Sequence, residues 1–157
     1  MSTDSEPRQR VIFVCTHNSA RSQIAEGLLR AWADDRFEVF SAGTQPTEVR
    51  REAIAVMGEI GIDISGHRAK HLDEFRGHAF DWLITVCDRA WQECSAIPGV
   101  ENPAHWGIED PAEANGDWEE RLAVFRRVRT DIGNRLHMFI LAAGRPDLNA
   151  RETTVVG

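Results

Sequence analysis

Four consecutive apolar residues, Val11-Ile12-Phe13-Val14, end at Cys15 and run within a few residues into a helical pattern. This junction constrains the fold more than any other stretch of the chain. An unbroken apolar run of this length suits a strand covered on both faces, as in a parallel sheet. The helix that follows carries Ile24, Leu28 and Trp32 at helical spacing on one face. The alternation then recurs. Phe37 to Phe40 read as a second strand, closed by Ser41-Ala42-Gly43. Thr47 is placed to cap a helix that turns Ala53, Ile54, Met57 and Ile60 inward and stops at Gly61. A short helix falls near Leu72–Phe75, Phe80 to Val86 form a third strand, and Ala104 to Ile108 form a fourth. A long final helix repeats Trp118, Leu122, Phe125, Val128, Ile132, Leu136 and Phe139 three or four residues apart. Strands alternating with helices predict an α/β domain, a four-stranded parallel sheet flanked by helices on both faces.

The 157 residues fit one domain of common size. We expect that domain to span residues 10–143, with a flexible segment before it (1–9) and a polar tail after it (144–157). A net charge of -7 disfavours a nucleic-acid or anionic-membrane partner, although a small anion can still be held by a local cluster of amides and arginine. The opening residues MSTDSEPRQR lack the apolar core of a signal peptide, and no apolar run approaches membrane-spanning length. The expected compartment is therefore the cytoplasm, where stable disulfides are rare. Three cysteines are an odd number for a structural framework, so catalysis or redox relay competes with simple core filling. The stretch from Cys87 to Gly116 shows little regular pattern and reads as a functional loop.

Cys15 and Arg21 frame Thr16, His17, Asn18, Ser19 and Ala20 between the first strand and the first helix. A loop at such a junction points successive backbone N–H groups inward and meets the positive end of a helix dipole, which makes an anion nest. Arg21 adds a planar fork that can grip two oxygens of a tetrahedral anion. The same positive field favours the thiolate of Cys15, aimed at the central atom of the anion. Ser22 can hydrogen-bond that sulfur. Asn18 tolerates left-handed backbone and braces the loop, and Ser19 helps start the helix. The alternative is a plain strand-to-helix turn with a buried cysteine.

Cys87 ends the third strand in Leu83-Ile84-Thr85-Val86-Cys87. In open parallel sheets, sites gather at the carboxyl ends of strands. If the first and third strands are neighbours, Cys15 and Cys87 share one rim. Cys94 follows after six residues, too far for a C-x-x-C motif. Those residues can form one or two helical turns, which a disulfide between Cys87 and Cys94 would have to distort. Zinc fits this spacing poorly. His67 and His71 lie one turn apart, but a solvated helix face explains them better than a metal, so no metal site is expected. In His105-Trp106-Gly107-Ile108-Glu109-Asp110-Pro111-Ala112, Pro111 biases Asp110 away from helix and stiffens its loop. An acid held there at the sheet rim can protonate a leaving oxygen.

Together these residues resemble the thioredoxin-coupled arsenate reductases built on the low-molecular-weight tyrosine phosphatase fold. The matching pieces are VCTHNSARSQIAEG, EVFSAGT, GIDISGH, ITVCDRAWQEC and HWGIEDPA, from about Val11 to His137. The first piece alone would equally suggest the phosphatases, and a phosphotyrosine phosphatase is the runner-up. Gln23 in place of a frequent proline, Ala112 in place of an aromatic, and the Cys87/Cys94 pair tilt toward the reductases. The resemblance implies that Cys15 attacks arsenate held by the loop and Arg21 while Asp110 protonates the departing oxygen. It further implies that Cys87 attacks Cys15 to release arsenite, and that Cys94 attacks Cys87. The resulting 87–94 disulfide is reduced by thioredoxin, with no other cofactor.

The chain departs from the pattern at three positions. Ala20 stands where a further cysteine is frequent. His17 stands at a frequent glycine, a place histidine can occupy at positive φ. Lys70, the single lysine of the chain, stands where some relatives place an aspartate that helps hold potassium. Asn18, Glu26 and Ser41 match the rest of that cation site. The expectation is that the Lys70 ammonium takes the cation's place.

Overall fold

The computed structural model describes residues 7–94 and 100–143. The strands are β1 (Gln9–Cys15), β2 (Phe37–Gly43), β3 (Phe80–Thr85) and β4 (Val100–His105). The helices are α1 (Arg21–Ala33), α2 (Arg51–Gly58), α3 (Asp88–Cys94) and α4 (Trp118–Ala143), with 3-10 turns at Leu72–Phe75 and Pro111–Glu113. The strands form one parallel sheet in the order β2-β1-β3-β4. The α/β architecture with a four-stranded parallel sheet expected from the sequence is the one observed.

The apolar run explains the centre of this sheet. Val11, Ile12, Phe13 and Val14 are all 0% exposed, because β1 has a strand on each side and cover on each face. The chain moves one way from β1 to β2 and the opposite way to β3 and β4. A right-handed crossover from β1 to β2 places α1 on one face, and α2 and α4 pack against it there. On the α1 side, Phe139 of α4 packs against Phe37 and Trp82. On the opposite side of β2, Phe40 meets Phe75 and Phe80 edge-on. Among the described residues no helix is long and apolar enough to cross a membrane.

Several local expectations need correction. Helix α2 begins at Arg51 with Arg50 at its cap, not at Thr47, whose backbone N–H instead reaches His17 O at 3.1 Å. Residues 44–50 are drawn out along the Cys15 loop and cannot wind. Ile60 lies past the end of α2 and is 43% exposed rather than inward, and Gly61 turns the chain at φ 80°. The fourth strand is Val100–His105, upstream of the expected 104–108; Pro103 is tolerated because β4 is an edge strand. The span from Cys87 to Gly116 holds α3, β4 and a 3-10 turn rather than one long loop. His67 and His71 share no helix: residues 62–71 carry no helical turn, His67 Nδ1 pairs with Gln23 Oε1 at 3.0 Å, and His71 caps the turn after it. Trp32 is 39% exposed, its ring stacked on His137 instead of buried. At the start, Gln9 belongs to β1 and accepts from Trp82 Nε1 at 2.7 Å. Residues 1–6 and the expected tail 144–157 lie outside the described residues.

Candidate active site

The Cys15 loop leaves the end of β1 and enters α1, and its shape comes from where its carbonyls go. Cys15 O, Thr16 O, His17 O and Ser19 O accept from the backbone N–H groups of Thr44 (3.3 Å), Gln45 (2.8 Å), Thr47 (3.1 Å) and Arg50 (2.9 Å). With these carbonyls drawn outward, the loop's own amides face the other way and form a cup. Asn18 N–H already points at Cys15 Sγ from 3.1 Å. The helix adds to this. Ala20, not Ser19, occupies the cap position of α1, and no side chain caps its first turn. The amides of that turn stay open to an anion.

Asn18 is the keystone of the loop. It is the sole non-glycine residue at positive φ (51°) among those described, so His17 needs no left-handed backbone after all. The Asn18 side chain is fully engaged. Its Oδ1 accepts from Lys70 N at 2.8 Å and Gln23 Nε2 at 3.0 Å, and its Nδ2 donates to Ser22 Oγ at 2.8 Å and Ser41 Oγ at 3.0 Å. A buried amide with all its partners locks the backbone that carries it. Ser22 Oγ lies 2.9 Å from Cys15 Sγ, so a hydroxyl and the Asn18 N–H converge on the sulfur. His17 is the exposed residue of the loop; Thr16, Asn18, Ser19 and Ala20 are buried.

Arg21 reaches from α1 across the cup. Its Nη1 donates to Val86 O at 3.3 Å and Ile108 O at 3.0 Å, and its Nη2 lies 3.6 Å from Asp110 Oδ2. The guanidinium therefore ties the ends of β3 and of the loop after β4 to the cup. Asp110 caps the Pro111–Glu113 turn through Oδ1, which accepts from Ala112 N–H at 2.9 Å, and leaves Oδ2 toward Arg21. Beside it, the bidentate Arg127 fork fixes Glu109 at 2.7 and 2.8 Å and holds its carboxyl below the usual range. The acid of this pair without such a clamp is Asp110.

Cys87 follows β3 at the same rim. It is buried, with Sγ 3.3 Å from Thr16 Oγ1 and 3.4 Å from the N–H of Ala90 in α3. The adjacency of β1 and β3, with Val14 opposite Thr85, puts it beside Cys15. Cys94 is the last residue of α3, so the six residues between the two cysteines do form helix; the Cys94 side chain lies outside the described residues.

Behind the loop, Lys70 Nζ donates to Arg68 O at 3.0 Å and Ser41 Oγ at 3.4 Å and lies 3.7 Å from Glu26 Oε1. Ser41 also donates to Glu26. Burial pushes the Lys70 ammonium's pKa down, and the Glu26 carboxylate opposes that shift. The ammonium thus sits against Glu26 and Ser41, two of the residues read as a cation site, while the third, Asn18, meets Lys70 through its backbone N–H.

Sequence reasoning missed three contributors. The brace at 44–50 carries no side-chain signature. Gly43 has one: a Cβ there would lie 2.6 Å from Thr16 O and 2.9 Å from Asn18 N, so only glycine lets β2 pass the loop this closely. Gln23, noticed only as a substitution for proline, donates to both oxygens of Asn18 and to Arg68 O.

A cysteine at the floor of an amide cup, an arginine closing it and an aspartate across from it define a class of anion-handling protein. Residues 10–147 match the family described as low molecular weight phosphotyrosine protein phosphatase, and the chain belongs to that family. Within it, this chain is similar to arsenate reductases. The arsenate reductase of Halalkalibacterium halodurans is 43% identical over 129 residues, which are 82% of this chain and 93% of the relative. A solved arsenate reductase in the phosphate-binding state aligns with a TM-score of 0.70 at 33% identity, covering 85% of this chain and 97% of its own. The thioredoxin-dependent arsenate reductase of Corynebacterium glutamicum aligns with a TM-score of 0.62 at 29% identity, covering 87% of this chain and 64% of that one.

Proposed function

We propose that this protein is a cytoplasmic arsenate reductase that passes oxidation from Cys15 to Cys87 to Cys94 and is regenerated by thioredoxin. The observation that carries the reading is the second buried thiol, Cys87, whose Sγ lies 3.3 Å from a hydroxyl of the anion loop itself. Phosphoester hydrolysis has no use for that thiol. A two-electron reduction does.

The chemistry runs as follows. Arsenate binds the loop amides from Thr16 to Ser22 and the Arg21 guanidinium. The Cys15 thiolate forms a bond to arsenic, and an oxygen leaves as water with a proton from Asp110. The Cys87 thiolate then attacks Cys15 Sγ. The electron pair of the sulfur–arsenic bond goes to arsenic, arsenic(V) becomes arsenic(III), and arsenite departs. The Cys94 thiolate attacks Cys87, and Cys15 is released as a thiolate. A thioredoxin dithiol reduces the 87–94 disulfide and restores the start. Asn18, Glu26, Ser41 and Lys70 support the loop, with the Lys70 ammonium standing in for a monovalent cation.

The deciding experiment follows arsenate-dependent oxidation of a thioredoxin system and maps the disulfide by mass. An 87–94 bridge supports the relay, and a mixed disulfide with a low-molecular-weight thiol would reassign the electron donor. The same cup and acid also suit a phosphomonoester, which the family description favours. Hydrolysis of an aryl phosphate with no arsenate-dependent disulfide would select that reading.

A further inference from the structure

His105 lies outside the cup, yet its imidazole joins the residues on both sides of Cys87. Its Nδ1 lies 2.8 Å from Thr85 Oγ1, two positions before the cysteine. Its Nε2 lies 2.8 Å from Asp88 Oδ1, the first residue of α3. Its ring also stacks on Trp91, one turn further along α3, at 5.6 Å between centroids and 26° between planes. With Nε2–H donating to the carboxylate, Nδ1 is left to accept from the Thr85 hydroxyl, so a single neutral tautomer satisfies both contacts. The backbone reinforces the junction: Trp106 N–H donates to Thr85 O at 2.8 Å, and Trp91 N–H donates to Cys87 O at 3.2 Å. One side chain on β4 thus fastens the first turn of α3 to the end of β3.

We propose that His105 is a positioning residue for the redox pair: a latch that holds α3 helical in the dithiol protein and is released when Cys87 and Cys94 join. The proposal rests on the relay reading above. A helix separates residues seven apart by about 10 Å along its axis. Bridged cysteines have Cα atoms only about 5.5–6 Å apart. The α3 helix must therefore yield before the bond can close. Asp88 and Trp91 are members of that helix and lie between the two cysteines, so their hold on His105 belongs to the reduced state. A contact present only in the reduced state stabilises the dithiol and makes the disulfide easier to reduce. The latch raises the reduction potential of the pair and favours its discharge to an external dithiol.

The test uses the full chain carrying Cys15→Ser, so that only the 87–94 couple titrates. The protein is equilibrated in mixtures of reduced and oxidised dithiothreitol, and the disulfide is quantified by alkylation and mass. Adding His105→Ala is expected to increase the oxidised-to-reduced ratio about tenfold, equal to a shift of about 30 mV toward more negative potential. His105→Gln, which retains a donor toward Asp88, should recover part of the shift. Asp88→Ala removes the same contact from a side chain that is 86% exposed, which keeps the test available if the histidine variant folds poorly. It should shift the ratio in the same direction and add little to His105→Ala in the double variant. Amide hydrogen exchange gives the second readout. Exchange in α3 should quicken in the reduced His105→Ala protein and stay unchanged in the oxidised one. Equal potentials, or faster exchange in both redox forms, would overturn the latch while leaving the relay intact. Failure of the 87–94 disulfide to form in any of these proteins would remove the relay and the latch together.

Discussion

Thr16 Oγ1 and Cys87 Sγ lie 3.3 Å apart although 71 residues separate them in the chain. The pairing of β1 with β3, which places Val14 opposite Thr85, closes that gap. The hydroxyl belongs to the anion loop and the sulfur to the next strand's end. The contact therefore joins the loop proposed to bind the oxyanion to the thiol proposed to take over the oxidation of Cys15.

Replacing Cys87 by serine separates the two activities the cup could serve. Serine can keep a contact to Thr16 but cannot form a disulfide. Arsenate turnover coupled to thioredoxin should stop, while hydrolysis of p-nitrophenyl phosphate should continue at a similar rate. Parallel loss of both activities would assign Cys87 a purely structural part.

Asp110→Asn removes the proposed proton donor while leaving Pro111 and its turn in place. General acids contribute about 10²–10⁴-fold. Single-turnover formation of the Cys15–Cys87 disulfide should slow by about that factor, with little change in phosphate affinity. Rapid-quench alkylation reads the rate directly, and an unchanged rate would mean that the proton comes from elsewhere.

Gly43→Ala would push a methyl against Thr16 O and Asn18 N at 2.6 and 2.9 Å. Forced overpacking of this kind costs about 1–3 kcal/mol. The urea midpoint should fall and oxyanion binding should weaken with it, because the displaced atoms belong to the loop. Gly58→Ala is the matched control. A Cβ there meets nothing within 4 Å at the last position of α2, so stability should rise slightly.

Lys70 connects the loop to salt and pH. With its ammonium beside Glu26 and Ser41, activity should be equal in sodium and potassium buffers. Lys70→Ala should create a potassium stimulation, and a large stimulation of the unaltered protein would reject the idea. Burial lowers the folded-state pKa of Lys70 below its reference of 10.5. Between those two values the unfolded chain binds the extra proton. Stability therefore rises with pH through the lowered value toward 10.5, relative to a Lys70→Met protein. Urea midpoints of the two proteins across alkaline pH give the sign.

Much of the site was readable because it is local. The apolar run of β1, the six-residue step from Cys15 to Arg21 and the start of α1 lie in one stretch, and Asn18 occupies the left-handed position its chemistry suits. The errors share a cause. Thr47 reads as a helix cap because the pattern after it is helical, but its N–H is taken by His17 O in a different element. His105 reads as part of a motif with no task, since its partners Thr85, Asp88 and Trp91 come from β3 and α3. Backbone brackets and cross-strand side-chain clusters have no period for a sequence to display.

The order of residues along the chain settled the kind of fold, the anion loop and the thiols available to it, because apolar periodicity and turn chemistry act over a few residues. Folding in three dimensions settled which thiol stands beside which loop, why the loop's amides face inward and where Arg21 and Lys70 reach. Those outcomes depend on strand order and on hydrogen bonds between distant segments, which exist only once the sheet has closed around β1.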